Sequence, residues 1–295
     1  MTFDTTGQGG LDYFPCRYGR SRLLFRGPRQ RLDGDYALFL GGTYTYGRFI
    51  ETPFPALVEA GTGVRCVNFG WQNAGVDAFL NDITVMEIAA KARVTVVQVM
   101  GAQNMSNRFY SVHPRRNDRF LNASGVMKQL FRDVDFTEFS FNRHMLSVVR
   151  GLSADRYVMI REELKAAWLA RMQHLLQAIG GRIILLWFAD HAPDADDAAH
   201  GAGKRGQALQ SDERDDELGA DPLFVDRAMI EALRPRVTEV VEVVASRAAL
   251  EQGTQGMVFS PLEAPAAAGM LGPMAHQEAP AALQPALLRM MSAQA

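Results

Sequence analysis

Residues 36–49 read YALFLGGTYTYGRF, and the fold prediction starts from this stretch. A short apolar run ends abruptly at Gly41 and Gly42, and threonine and tyrosine residues follow directly. A buried strand that stops in this way predicts a tight bend, a ligand site or a nucleophile at the end of the strand.

Four further apolar segments look like strands, and helix-like segments separate them. The predicted strands cover 36–40, 64–70, 93–101, 182–189 and 237–245, and the predicted helices cover 54–60, 73–92, 155–181 and 222–234. Because the strands are apolar nearly throughout, we expect helices to cover both of their faces. The alternation predicts an α/β fold with three α/β/α layers around a parallel sheet of about five strands.

Three segments fall outside this alternation. Residues 1–34 predict a basic, aromatic N-terminal arm on a domain that spans 35–295. The arm either packs its apolar residues and leaves its arginines in solvent, or binds an anion. Residues 105–150, rich in aromatic residues and arginines, predict a folded insertion or lid over the strand ends. The charged segment 194–221 predicts a flexible, dispensable surface loop.

Composition narrows the classes of function. Hydrophobic residues make up 47% of the 295 and the formal net charge is -2, so we expect a buried core and no nucleic-acid partner. Two cysteines, Cys16 and Cys66, are too few for a disulfide framework or a zinc site. The chain begins without a signal-peptide pattern, and no apolar run reaches the roughly 18–20 residues of a membrane span. We expect a cytoplasmic protein without a metal or cofactor.

Glycines and polar residues follow the first three predicted strands, as GGTYTYG (41–47), NFGWQNAG (68–75) and GAQN (101–104). Near the C-terminus, His276 precedes a predicted short helix. In parallel sheets, ligands bind beyond the carboxyl ends of the strands. The first block lacks the Lys-Ser/Thr end of a phosphate-binding loop and the spaced glycines of a dinucleotide site, which disfavours nucleotide chemistry.

The order of these blocks resembles the SGNH, or GDSL-type, hydrolase superfamily over roughly residues 35–291, with the middle insertion unmatched. The chain is also similar to a set of uncharacterised alphaproteobacterial proteins. The resemblance implies an SGNH- or flavodoxin-like arrangement of the sheet, in which Thr43 is the nucleophile and His276 the base. It also implies that Gly70, together with Gln103 or Asn104, stabilises the oxyanion.

Gln103 and Asn104 stand where the superfamily has Asn and Asp, and three further departures concern the nucleophile and its base. Thr43 replaces serine, and its additional methyl group crowds attack and stiffens the side chain. Gly42 replaces the aspartate beside the nucleophile. Pro273 replaces the acid that orients His276, although Glu263 offers another carboxylate. Loss of the orienting acid costs about 10⁴ in kcat in a serine protease.

The resemblance therefore implies a hydrolase or acyltransferase that acts on an ester, such as an acyl group on a carbohydrate, with a Thr43–His276 dyad. The alternative is an inactive scaffold that binds a glycan or a protein. In the simplest reading, Thr43 caps a helix and the glycines are tight turns.

Arginines of the predicted lid suggest the charge of the substrate. Arg115, Arg116 and Arg119 would bind an anionic glycan or small molecule if they lie over the strand ends, because guanidinium groups bind carboxylates and phosphates bidentately. The alternative is a solvated charged loop. His191, beside Asp190 after the fourth strand, is a further substrate-binding candidate and a rival base.

Overall fold

Five parallel strands form the central sheet of the computed structural model, which describes residues 10–194 and 218–293. Their order across the sheet is β2-β1-β3-β6-β7. The strands are β1 (Ala37–Gly41), β2 (Cys66–Gly70), β3 (Val94–Gln98), β6 (Ile183–Ala189) and β7 (Glu239–Val244). All five correspond to predicted strands, and the predicted parallel sheet is confirmed.

Helices cover both faces of this sheet, which confirms the predicted three-layer α/β/α fold. One face is covered by α2 (Phe54–Thr62) and α11 (Pro273–Ser292). The other is covered chiefly by α3 (Val76–Leu80), α4 (Ile83–Lys91), α7 (Ala154–Ile179) and α8 (Arg227–Leu233). Short helices complete the order: α1 (Thr43–Tyr46), α5 (Gly125–Leu130), α6 (Asn142–Leu152), α9 (Arg247–Gln252) and α10 (Ala264–Ala268).

Strand β1 shows why these strands are apolar nearly throughout. Leu38 and Leu40 join the core beneath α7, whereas Phe39 joins the core beneath α2 and α11. Successive side chains of a strand point to opposite faces, and here helices bury both. All five residues of β1 are consequently buried.

Two predicted helices differ from the structure. The predicted helix over 73–92 is divided into α3 and α4, because the side chain of Asp82 accepts a hydrogen bond from the backbone N–H of Val85 and so starts a new helix. The C-terminal helix, predicted to be short, has 20 residues. Pro273 is its first residue, a position where proline needs no hydrogen-bond partner for its nitrogen.

Segment 105–150 has its own secondary structure. Strands β4 (Tyr110–Val112) and β5 (Phe120–Ala123) pair antiparallel, and α5 and α6 follow them. The N-terminal arm also packs on the domain, since Leu23 and Phe25 belong to the core. Arg26 is 8% exposed, and its guanidinium donates to carbonyl oxygens of residues 46, 47 and 51. This arginine therefore fixes the chain after α1 instead of lying in solvent.

Most of the loop predicted at 194–221 lies outside the described residues. Its final part, 218–221, is described and is not a free surface segment. Leu218 is buried, and Asp221 accepts hydrogen bonds from Gln103 and from the backbone of Leu223. A deletion that extends to residue 221 would therefore remove core and cavity contacts.

Gln98, the last residue of β3, fixes the turn that follows β1. Its side-chain oxygen accepts hydrogen bonds from the backbone N–H of Gly42 at 3.2 Å, the backbone N–H of Thr45 at 3.1 Å and the hydroxyl of Thr45 at 2.6 Å. Gly41 leaves the necessary room, since a Cβ there would lie 2.2 Å from Thr45 Oγ1. One buried acceptor thus holds the start of α1 against the neighbouring strand.

Replacing Gln98 by methionine should lower the free energy of unfolding by about 2–4 kcal/mol, because buried donors lose their common acceptor. Urea unfolding followed by circular dichroism measures this loss. Gln129→Met is the matched control, since Gln129 is exposed on α5 and should tolerate the same change. Equal, small effects of the two substitutions would show that Gln98 does not hold the turn.

Candidate functional site

A cavity of about 130 Å³ lies beyond the carboxyl ends of β1 and β3. The chain passes from β1 to β2 on one side and returns to β3 on the other, so this is a topological switch point of the sheet. Ligands of open α/β sheets bind at such points. The polar side chains around the cavity belong to Thr43, Tyr44, Asn73, Gln98, Gln103, Asn104 and Asp221.

Thr43 lines this cavity, and Asn73 engages its hydroxyl twice. Thr43 Oγ1 donates to Asn73 Oδ1 at 3.2 Å and accepts from the backbone N–H of Asn73 at 2.9 Å. Asn73 has a φ of 53°, a left-handed conformation that asparagine tolerates better than most residues. Thr43 is the first residue of α1 and Gly42 is the cap, so Thr43 is not the helix cap.

The insertion holds the Asn73 turn from the other side. The side-chain amide of Asn73 donates to Asp118 at 3.2 Å, and the amide of Asn104 donates to the backbone carbonyl of Asn73 at 3.2 Å. Asn117 is fully buried and accepts from the backbone N–H of Gly75. The turn that meets Thr43 is therefore fixed by polar contacts on both sides.

Gln103 is a further buried polar residue of the cavity wall. Its exposed fraction is 6%, and its amide nitrogen donates to Asp221 Oδ1 at 3.1 Å. Asp221 also accepts from the backbone N–H of Leu223 at 3.2 Å and lies 3.8 Å from the guanidinium of Arg143. Gln103 therefore directs one N–H of its side-chain amide to a carboxylate.

His276 occupies different surroundings from Thr43. Its ring packs against Phe54 and Phe188 in the core beneath α2 and α11, and Nδ1 accepts from the backbone N–H of Phe54 at 3.2 Å. Burial, with a smaller effect of the Arg26 charge, lowers the pKa of His276 from 6.5 to about 3. No hydrogen bond joins His276 to Thr43, so the structure does not form the predicted dyad.

The suggested substitute acid does not orient His276 either. Glu263 accepts hydrogen bonds from the backbone and hydroxyl of Ser260, and it lies 3.5 Å from Arg48. These contacts form the capping box of a short helical turn at Pro261–Glu263. The carboxylate has a structural role at that turn.

Gly70, predicted to help stabilise an oxyanion, has a packing role in the structure. Its backbone N–H already donates to Asn68 Oδ1 at 2.8 Å. A Cβ on Gly70 would lie 2.1 Å from the backbone nitrogen of Tyr46. The glycine lets α1 lie directly against the end of β2, and its amide hydrogen is not free for a substrate.

The predicted substrate arginines lie on the loop that covers the Asn73 turn, but two of them have intramolecular partners. Arg116 lies 3.7 Å from Asp118, and the Arg119 guanidinium lies 4.2 Å from the ring centre of Phe141. Arg115 is exposed, and its carbonyl accepts from the indole N–H of Trp71. Arg115 is therefore the most available of the three to a ligand.

His191 and Tyr44 lie near the end of β6. His191 Nδ1 is 2.7 Å from Asp190 Oδ1, and the histidine is 8% exposed. Tyr44 packs edge-on against Phe188. Burial raises the pKa of the Tyr44 phenol, and the negative charges of Asp221 and Asp190 raise it further. Tyr44 therefore stays a neutral hydroxyl in the cavity.

Three important residues were missed by the sequence analysis. Asn73 lies in a second Asn-x-Gly triplet at 73–75, immediately after the one that contains Gly70, and this repeat was the available signal. Gln98 reads as an ordinary residue of an apolar strand. Asp221 lies at the end of a segment predicted to be dispensable, and no local pattern connects it to Gln103.

Neither membrane helices nor metal clusters occur among the described residues. No helix in the ranges 10–194 and 218–293 combines the length and the apolar character that crossing a bilayer requires. Over the same ranges, no three His, Cys, Asp or Glu side chains are placed to hold a metal ion.

Comparison with protein families gives one match across nearly the whole chain. The profile for Domain of unknown function (DUF6473) matches residues 1–291. The chain belongs to the DUF6473 family. A search of curated proteins found no significant match to this DUF6473 chain.

Among solved structures, the DUF6473 chain is similar to the lipase Lip_vut3 from a goat rumen metagenome. The sequence identity is 10%, the TM-score is 0.42, and the match covers 86% of this chain and 97% of the lipase. A likeness of this degree does not bear on activity. The resemblance to SGNH hydrolases therefore stays a prediction from the sequence blocks.

The buried imidazole of His276 should make folding sensitive to mild acid. The folded-state pKa is depressed to about 3, so the unfolded chain binds the proton more readily between about pH 3 and 6.5. Stability should therefore fall as pH drops below 6.5, by about 2 kcal/mol from this group between pH 7 and pH 5.

Urea unfolding at pH 7 and pH 5 measures this loss. His276→Asn retains an acceptor for the Phe54 N–H but does not titrate, so its loss over the same interval should be smaller by that amount. Equal losses in the two proteins would place His276 in a solvated, ordinary environment.

A Gly70→Ala substitution separates the packing role of Gly70 from an oxyanion role. Alanine keeps the backbone N–H, but its methyl group would overlap the backbone of α1, which should cost about 1–3 kcal/mol of stability. Gly125→Ala is the control, because a Cβ there meets nothing within 4 Å. Thermal unfolding that is identical for Gly70→Ala and the wild type would contradict the packing role.

Proposed function

We propose that this protein binds a small, neutral, hydrogen-bonding molecule, such as a single carbohydrate unit, in the cavity beyond β1 and β3. Thr43 helps to form the binding surface in this proposal and is not paired with His276 for ester hydrolysis. The proposal corresponds to the second of the two functions considered from the sequence, an SGNH-like scaffold that binds its ligand.

The proposal rests on the hydrogen bonds of the Thr43 hydroxyl. In the described part of the chain its hydrogen bonds go to Asn73, whose amide oxygen cannot remove a proton as a base does. A nucleophilic hydroxyl needs an adjacent general base. His276 is bonded elsewhere, and a base with a pKa of about 3 is poorly matched to work near neutral pH.

The lining of the cavity supports a neutral ligand. Asp221 is the one charged side chain among the described lining residues, and the others offer hydroxyl, amide and apolar groups. A carboxylate without a cation in the lining disfavours an anion at this point. An acidic group of a larger ligand would instead have to reach Arg115, which is exposed outside the cavity lining.

The size of the cavity supports a small ligand. Its volume of about 130 Å³ is well above the roughly 10–15 Å³ that one water needs, and below the roughly 300–1,000 Å³ of drug-sized sites. A single ring or a short acyl chain matches this range. The carbohydrate class itself rests on the resemblance to SGNH hydrolases.

The second candidate function is hydrolysis or transfer of an ester. Thr43 lies at the position of the superfamily nucleophile and faces the cavity, and this observation favours the candidate. The reaction would require a base other than His276. The Asp190–His191 pair at the end of β6 is a pairing of the kind that catalytic bases use.

Ligand-observed NMR with methyl α-D-glucopyranoside and N-acetylglucosamine tests binding, and p-nitrophenyl acetate tests hydrolysis. Gly269→Phe should fill the cavity, because Gly269 lines it and a Cβ there meets nothing within 4 Å. Gly125→Phe is the matched control on α5. We expect at least one neutral probe to bind, with at least a tenfold loss in Gly269→Phe and no loss in Gly125→Phe.

We also expect hydrolysis by the wild type to equal that by Thr43→Ala. Turnover that depends on Thr43 would establish the second candidate instead. Absence of binding by every neutral probe would contradict the proposed function.

A further inference from the structure

We infer that Tyr44 and Asp221 select the ligand of the cavity, and that the group they select is an alcohol. A ligand hydroxyl donates a hydrogen bond to Asp221 Oδ2, and the Tyr44 hydroxyl donates a hydrogen bond to a ligand oxygen. The inference rests on the proposed function. It adds the class of the ligand, a polyol, and the two residues that recognise it.

The carboxylate of Asp221 has one oxygen that is bonded within the protein and one that is available. Oδ1 accepts from the side-chain amide of Gln103 at 3.1 Å and from the backbone N–H of Leu223 at 3.2 Å. Oδ2 lies 3.8 Å from the guanidinium of Arg143, beyond hydrogen-bond range, and no described residue donates a hydrogen bond to it. The side chain is 52% exposed and the residue lines the cavity. Oδ2 is therefore an oriented acceptor that a ligand can reach.

The hydroxyl of Tyr44 is the second available group. The ring packs edge-on against Phe188, with the ring centres 5.7 Å apart, and the residue lines the cavity. Among residues 10–194 and 218–293 the phenol oxygen has no hydrogen-bond partner, yet it is not one of the unpartnered polar atoms that lack accessible surface. A tyrosine hydroxyl in a protein wall usually has a partner, and here a ligand in the cavity can supply one.

The two groups lie close together and have complementary roles. Burial raises the pKa of the Tyr44 phenol, and among the neighbouring charges that of Asp221 raises it most. The phenol therefore keeps its proton and can donate, whereas an ionised carboxylate can only accept. Gln98 fixes the backbone on both sides of Tyr44 through its hydrogen bonds with Gly42 and Thr45. Donor and acceptor are thus presented to a ligand in one arrangement.

This arrangement defines the chemistry of the ligand. A hydroxyl both donates and accepts, so an alcohol can satisfy Asp221 and Tyr44 together. An ether oxygen has nothing to donate to Asp221, the charge of Asp221 repels a carboxylate or phosphate, and an ammonium group has no oxygen for the Tyr44 proton. The apolar part of the lining, which would contact the C–H groups of a polyol, comprises Ala74, Val99, Met100, Pro222 and Met270. A small polyol or a single sugar ring matches these groups.

Asp221→Asn converts the available acceptor into a donor and changes little else. Two donors hold Oδ1, so the asparagine oxygen takes that position and the NH₂ group takes the position of Oδ2. In ligand-observed NMR titrations, the tighter-binding of methyl α-D-glucopyranoside and N-acetylglucosamine should bind at least about tenfold more weakly, because a hydrogen bond to a charged group is lost. Asp33→Asn is the matched control, since Asp33 also lies in ion-pair range of an arginine, Arg65, and does not line the cavity.

Tyr44→Phe removes the phenol oxygen and keeps the ring against Phe188. Binding of the same probe should weaken at least about threefold, as expected for one neutral hydrogen bond. The melting temperature should not fall, because the oxygen has no partner within the described protein. Tyr36→Phe is the control with the opposite pattern. Its hydroxyl donates to the carbonyl of Ile88 in the core, so this variant should melt earlier and bind the probe as the wild type does.

Fluorinated analogues of the probe, each with one hydroxyl replaced by fluorine, test whether the ligand group is an alcohol. Fluorine is close to a hydroxyl in size but cannot donate a hydrogen bond. In the wild type, the analogue modified at the hydroxyl that meets Asp221 should bind at least about fivefold more weakly than the parent probe. In Asp221→Asn the same modification should change binding less than about twofold, because the acceptor is gone.

The outcomes separate this inference from the proposed function. If either Tyr44→Phe or Asp221→Asn binds the probe as the wild type does while Gly269→Phe does not bind it, the cavity binds ligand but the two residues do not select it. Losses among the fluorinated analogues that are equal in the wild type and in Asp221→Asn would also overturn the inference. If no neutral probe binds the wild type, the proposed function and the inference fall together.

Discussion

The buried hydrogen bonds of Gln98 are the constraint on which the rest of the site depends. A single side-chain oxygen at the end of β3 accepts three donors from the turn after β1. The carboxyl ends of two neighbouring strands are thereby locked together, and α1 starts in one fixed direction. Thr43 and Tyr44 face the cavity because these hydrogen bonds place the first turn of α1 over the switch point of the sheet.

The polar groups around the Gln98 hydrogen bonds largely form hydrogen bonds with one another. Asn73 accepts a hydrogen bond from the Thr43 hydroxyl, and Asp118 and Asn104 in turn form hydrogen bonds with Asn73. Asp221 accepts a hydrogen bond from the side-chain amide of Gln103. Such a network is rigid, and it leaves few polar atoms available to a ligand. The groups that stay available in the cavity are the Tyr44 phenol and the carboxylate of Asp221, whose side chain is 52% exposed. That pattern is suited to recognition of a donor, and it lacks the paired nucleophile and base of an acyl-transfer site.

The sheet could be predicted from sequence because five apolar segments, each long enough for a buried strand, alternate with helical periodicity. The position of the cavity also followed, since parallel strands present their carboxyl ends at one edge. The roles of particular residues did not follow. Gly70 and Gly41 mark turns in the sequence, but their purpose is close packing, which depends on where α1 lies.

His276 is a clearer example of a residue whose role could not be predicted from sequence. A histidine before a C-terminal helix has the correct order for a base, yet burial between Phe54 and Phe188 makes it a core residue. Asp221 could not be connected with Gln103, because 118 positions separate them and contact arises only through the fold. Long-range polar pairs of this kind leave no periodicity to detect.

Labelling with a fluorophosphonate, which reacts with activated serine and threonine hydroxyls, tests the central claim most directly. Peptide mass spectrometry after exposure reads the modification of Thr43, and Thr43→Ala identifies the peptide. A hydroxyl bonded to Asn73 without a neighbouring base should stay unmodified at neutral pH. An adduct on Thr43 that is lost or strongly reduced in His276→Asn would show that the two residues act as a nucleophile and its base, and would contradict the account.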